Sequence, residues 1–136
     1  ALPELRQVSL TERYLEIGAA VTLAEILELK ESALPELLAG ALRREDLAAR
    51  FGGDEFCVLF SHVGTAEARV CLERVLDQVR ELTLQLPDGT RLGGFTASMG
   101  LASLAPAHAH PDDLLETADQ ALYRAKEAGR DRLVVA

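Results

Sequence analysis

Positive charge is scarce in this chain. Fourteen Lys and Arg stand against twenty-two Asp and Glu, a net charge of −8. Binding to a nucleic-acid backbone or an anionic membrane needs clustered cations, so neither partner is expected. Long apolar runs are missing too. No stretch reaches the ~20 apolar residues that a membrane-spanning helix requires, and Glu or Arg interrupts every long candidate. The opening Ala1-Leu2-Pro3-Glu4 lacks the basic start and apolar run of a secretory signal. Two cysteines, Cys57 and Cys71, are too few for a disulfide framework and form no CxxC pair. Both are read as packing residues in a reducing, cytoplasmic setting. With 49% hydrophobic and 26% charged residues among 136, the chain has the composition and length of one soluble globular domain.

What is present is a regular alternation of elements. Tyr14 to Ala20 reads as a strand. Thr22-Leu23-Ala24-Glu25 has the spacing of a capping box and predicts a helix over 23–29. Leu34, Leu37, Leu38, Ala41 and Leu42 predict a second helix over 34–43, with Pro35 in its first turn. Ala48–Phe51 and Glu55–Phe60 read as a hairpin around Gly52-Gly53, because both glycines tolerate positive φ. A third helix is predicted over 66–80, with a stripe of Leu72, Val75, Leu76 and Val79. A second hairpin turns at Pro87-Asp88-Gly89, between 82–86 and 90–95, and a strand continues over 96–102. Asp88 is read as a turn residue. Pro111 opens a last helix over 112–128, Gly129 stands where a C′ glycine belongs, and Leu133–Val135 closes as a strand. The order predicts a mixed sheet with helices packed on it.

One hairpin carries candidate chemistry. In Arg50-Phe51-Gly52-Gly53-Asp54-Glu55-Phe56, two glycines let backbone approach a ligand and two carboxylates follow at the tip. Hard oxygen ligands beside phosphate suit Mg²⁺. On these residues the chain resembles the GGDEF domain of the diguanylate cyclase family, over about residues 41–136. Two further motifs carry the likeness: Phe95 to Ala102, similar to the family's core strand, and Ala118 to Lys126 followed by Gly129-Arg130, similar to its last helix. The resemblance implies an α/β (α+β), nucleotidyl-cyclase-like fold. Its central five-stranded sheet is mixed, mostly antiparallel and flanked by helices. It also implies that two facing domains, as in a homodimer, each bind GTP and join them into cyclic dimeric GMP. By the same resemblance Gly52 and Gly53 contact the nucleotide, Asp54 holds Mg²⁺, and Glu55 lies near the reacting 3′-hydroxyl. Lys126 and Arg130 match the family's phosphate-binding pair, and two positions four apart on a helix share a face. Arg43 and Asp46 fit the spacing of its product-inhibition motif, RxxD, and Arg74 resembles the arginine that completes that site. An Arg fork suits O6 and N7 of guanine, and a carboxylate suits its N1 and N2 donors. His62, His108 and His110 show no metal-ligand spacing and receive no role.

The first half departs from the family pattern. The strand that normally ends in Asp-x-Asp-x-Phe-Lys-x-x-Asn-Asp supplies a metal ligand and reads guanine, and nothing in residues 1–42 matches it. Leu5 to Val8 and Tyr14 to Leu23 instead resemble a piece of the flavin-binding domain of the xanthine dehydrogenase family, without its pyrophosphate loop, so no flavin is expected. The expectation is a single degenerate or chimeric GGDEF-like domain, 1–136, in which residues 1–40 replace the family's first strand and helix. It is expected to bind cyclic dimeric GMP with little or no cyclase activity. The alternatives are an active cyclase and an engineered folding chimera without function.

Overall fold

A computed structural model describes residues 17–23, 30–50 and 55–136 of the chain. The elements run β1 (Ile17–Leu23), α1 (Lys30–Ala41), β2 (Leu47–Arg50), β3 (Glu55–Phe60), α2 (Thr65–Glu81), β4 (Leu84–Gln85), β5 (Arg91–Leu92), β6 (Ala97–Ser103), α3 (Pro111–Glu127) and β7 (Arg132–Val135). Five strands form one sheet in the order β2-β3-β1-β6-β7, and β4 and β5 form a separate small hairpin. The β2–β3, β3–β1 and β1–β6 pairs are antiparallel, and β6–β7 is parallel. This is the mixed, mostly antiparallel five-stranded sheet that the resemblance implies, with β2 and β3 at one edge; Gly52 and Gly53, expected to join them, lie outside the described residues.

Period-two alternation sorts the side chains of the central strands. Phe56, Val58 and Phe60 of β3, with Ala97, Met99 and Leu101 of β6, share a core with Leu72, Val75, Leu76 and Val79 of α2 and Leu38 of α1. On the opposite face Ala102 packs with Leu114 and Ala118 of α3. Helices cover both faces, so β3 and β6 read as nearly continuous apolar runs. Cys57 is fully buried and its thiol is pushed up to about 12 by burial, as suits a packing residue. Cys71 is half-buried and also free. Among the described residues no helix is long and apolar enough to cross a membrane.

Several expected boundaries move. β1 occupies a central position as expected and runs on to Leu23, three residues past the expected end; residues 14–16 lie outside the described residues. Thr22 and Leu23 are therefore strand residues, so the expected helix does not begin at Leu23; the remainder of it, 24–29, lies outside the described residues. α1 begins at Lys30, which places Pro35 beyond its first turn, and it ends at Ala41, short of Arg43. The cause of the early stop is visible: the Arg43 N–H donates to the Asp46 carboxylate at 2.9 Å instead of continuing the helical ladder. β5 is shorter than expected because Gly93-Gly94 follows it, with Gly94 at φ 76°. Asp88 takes its expected turn role, accepting the Thr90 N–H at 2.8 Å.

α3 lies unusually close to the sheet. A Cβ on Gly100 of β6 would stand 2.1 Å from the Ala118 carbonyl oxygen and 2.3 Å from the Leu122 nitrogen. Its start is fixed by Asp113, which accepts the Ala109 N–H at 2.8 Å and the His110 N–H at 2.9 Å. His108 holds the preceding loop, accepting the Ala105 N–H and sharing a hydrogen bond with Thr117. Gly100→Ala should cost roughly 3 kcal/mol by overpacking, measured by urea unfolding. A second expectation concerns pH. The His110 N–H above all, then that of Ala109, holds the Asp113 carboxyl below its ordinary value. The stability it lends is complete above the ordinary aspartate range and drains as pH falls through the lowered value. The stability gap between the unaltered chain and Asp113→Ala should therefore narrow on acidification.

Candidate functional site

Two groups of the expected site residues can be followed in the structure. The first surrounds Glu55, which opens β3 opposite Thr22 of β1. α3 crosses the sheet so that its last turn reaches this point, and Lys126 Nζ stands 3.7 Å from Glu55 Oε1. The helix then ends in a Schellman motif: Gly129 N–H donates to the Lys126 carbonyl at 3.3 Å and Arg130 N–H to the Ala125 carbonyl at 3.0 Å. Gly129 is thus the C′ residue expected, at φ 112°. Arg130 is not on the helix, so the four-residue same-face argument for Lys126 and Arg130 does not hold. Arg130 and Asp131 instead adopt φ of 62° and 48°. The left-handed region costs an ordinary residue about 1 kcal/mol or more. Gly52, Gly53 and Asp54 lie outside the described residues.

The donors for a divalent cation are thin. Mg²⁺ takes oxygen ligands in near-octahedral geometry, commonly from one or two carboxylates together with substrate phosphate. β1, the strand beside Glu55, brings no carboxylate in Ile17-Gly18-Ala19-Ala20-Val21-Thr22-Leu23. Glu55 itself is engaged by Lys126. Among the described residues no three His, Cys, Asp or Glu cluster as metal ligands would. The donors among the described residues do not by themselves fit a Mg²⁺ ion; Asp54, the expected ligand, lies outside them.

The second group is more complete. Arg43 follows α1, Asp46 precedes β2 and Arg74 lies on α2, and all three line one cavity of about 170 Å³. Asp46 is turned inward, its side chain 2% exposed. Its carboxylate accepts the N–H groups of Arg43 at 2.9 Å and of Ser61 at 3.3 Å, and Arg43 Nη2 at 3.2 Å. Arg43 Nη2 also donates to the Ser61 carbonyl at 2.6 Å, and Nη1 meets Glu45 at 3.2 Å. These contacts, the Asp46 hydrogen bond first, hold the guanidinium above its ordinary value. Asp46 therefore secures Arg43 and the end of β3 before any ligand arrives. The cavity also takes Glu67 and Cys71 from α2. Sequence reasoning passed over Glu67, though its spacing of four from Cys71 and seven from Arg74 puts all three on one helical face.

A sequence profile described as "Diguanylate cyclase, GGDEF domain" matches residues 32–132. The chain belongs to the GGDEF-domain family. This GGDEF domain is 40% identical over 104 residues to the probable diguanylate cyclase DgcC of Escherichia coli K12, across 76% of this chain and 27% of that protein. The diguanylate cyclase DgcP of Pseudomonas aeruginosa is 40% identical over 105 residues, 74% of this chain and 15% of that protein. The chain thus spans about a quarter or less of these curated relatives. The GGDEF domain of DgcB from Caulobacter crescentus, solved with c-di-GMP, has the same fold, with a TM-score of 0.78 at 23% identity over 88% of this chain and 74% of that one. The profile match starts downstream of β1, and these relatives lend no support to the flavin-domain likeness.

In this GGDEF domain, loss of the Asp46 carboxylate strands the N–H groups of Arg43 and Ser61. Asp46→Ala should destabilise the fold by about 2 kcal/mol, whereas Arg44→Ala should stay within about 0.5 kcal/mol. Denaturant unfolding of both variants measures the difference.

Proposed function

We propose that this GGDEF domain binds cyclic dimeric GMP at the cavity of Arg43, Asp46 and Arg74 and makes little or none of it. The observation that carries the reading is that these residues, two from the turn between α1 and β2 and one from α2, line one cavity. Arg43 offers its fork to guanine O6 and N7 once Nη1 gives up Glu45 and Nη2 gives up the Ser61 carbonyl for the ligand, and Arg74 supplies a second cation for phosphate. Asp46, already committed to Arg43 and Ser61, contributes mainly by holding that fork in place. The c-di-GMP bound to the GGDEF domain of DgcB, which shares this fold, supports the same ligand class.

The low turnover follows from the strand beside Glu55. Phosphoryl transfer relies on metal ions that bridge the phosphates and neutralise developing charge. The segment that builds β1 completes the sheet without bringing the carboxylate that such an ion needs. Under this reading the Gly52-Gly53-Asp54-Glu55 tip, Lys126 and Arg130 form half of a GTP site, which a second copy would face in the family's manner. The segment upstream of the matched region, β1 included, acts as a structural replacement for the family's first strand, whereas the matched region takes in most of α1.

Calorimetric titration with cyclic dimeric GMP tests the binding. Arg43→Ala should weaken it at least tenfold, equivalent to about 1.4 kcal/mol. Arg43→Lys should not restore it, because an ammonium cannot chelate O6 and N7 in one plane. Arg44→Ala should matter much less. Equal losses at both arginines would reduce the effect to general charge attraction and overturn the site.

A further inference from the structure

Arg80 takes no part in either group, yet all three of its guanidinium nitrogens are engaged. It stands in the last turn of α2 and reaches across to Asp131, fifty-one positions later. Its Nε donates to both Asp131 carboxylate oxygens, at 2.9 and 3.1 Å, and its Nη2 donates to the Asp131 carbonyl at 2.9 Å. Nη1 is held by Asp77 at 3.0 Å, so the fork is aimed before it engages. What it grips is the turn of three consecutive positive-φ residues, Gly129, Arg130 and Asp131. Glycine enters that region freely, whereas arginine and aspartate stay there only when their surroundings hold them. The Arg130 carbonyl is held as well, accepting from Arg132 Nε at 2.9 Å.

We propose that Arg80 is a positioning residue for Arg130: by clasping Asp131 it fixes the left-handed turn from which Arg130 meets the triphosphate. This rests on reading Arg130 as a phosphate-binding residue. A planar fork with three separately directed donors is needed, because one arm grips the backbone while another grips the carboxylate. A lysine reaches only one of these acceptors at a time. Arg80 itself touches no nucleotide, so its contribution should disappear wherever Arg130 is already absent.

The test is calorimetric titration of the full chain with GTP, comparing the unaltered protein with Arg80→Ala, Arg80→Lys, Arg130→Ala and the Arg80→Ala/Arg130→Ala double variant. Thermal unfolding of each confirms that a folded protein is being titrated, and Arg80→Lys keeps the cation and its stem should the alanine variant unfold. Both Arg80 variants should bind GTP about tenfold more weakly, and the double variant should bind no worse than Arg130→Ala. Undiminished binding by folded Arg80 variants, or losses that add in the double variant, would overturn the inference while leaving the phosphate reading intact. An Arg130→Ala variant that binds as well as the unaltered chain, or an unaltered chain that takes up no GTP, overturns the phosphate reading and the inference with it.

Discussion

The close seat of α3 on β6 sets the geometry from which the candidate GTP half-site follows. Because Gly100 has no side chain, the Ala118 carbonyl and the Leu122 backbone can lie almost against the strand. At that separation the last turn of α3 arrives over the start of β3 and brings Lys126 to Glu55. The same helix end feeds directly into the Schellman turn and the left-handed residues 130 and 131. A helix held one methyl group further out would shift each of these groups together, since packed elements move as rigid bodies rather than deforming locally.

The second group depends on a different kind of constraint. Asp46 is buried by its own hydrogen bonds, which join the turn after α1 to the end of β3. That arrangement keeps a guanidinium on the cavity lining while tying down its orientation in advance, which would lower the ordering cost of the proposed contact with a planar base edge. A second lining cation, Arg74, comes from the middle of α2, and the last turn of that helix carries Arg80. One rigid helix therefore borders both the cavity and the turn that holds Arg130.

Much of this was legible in the sequence where local pattern and tertiary demand agree. The apolar stripes of α2 and α3 and the near-continuous apolar runs of β3 and β6 place those elements within a residue or so of their observed ends. The N-terminal part was less legible for a physical reason. Apolar residues run through Tyr14–Leu23 with little punctuation, so nothing local marks the strand's end, and Thr22 mimics a helix cap while sitting opposite Glu55 in the sheet. The end of α1 was misplaced because a hydrogen bond to Asp46 stops it, and the inward turn of Asp46 depends on Ser61, fifteen residues later. The same-face argument for Lys126 and Arg130 assumed that the helix continues, although Gly129 already marks its end. Contacts such as Arg80 to Asp131, between residues far apart in the chain, have no local signature at all.

The central claim is that the fold and the ligand cavity persist while the strand beside Glu55 brings no metal-binding carboxylate. Incubation of the purified chain with GTP and Mg²⁺, followed by chromatography for product, tests it most directly. The account predicts that cyclic dimeric GMP fails to accumulate, or does so several orders of magnitude more slowly than with an active cyclase assayed alongside. Robust conversion of GTP to cyclic dimeric GMP would contradict it.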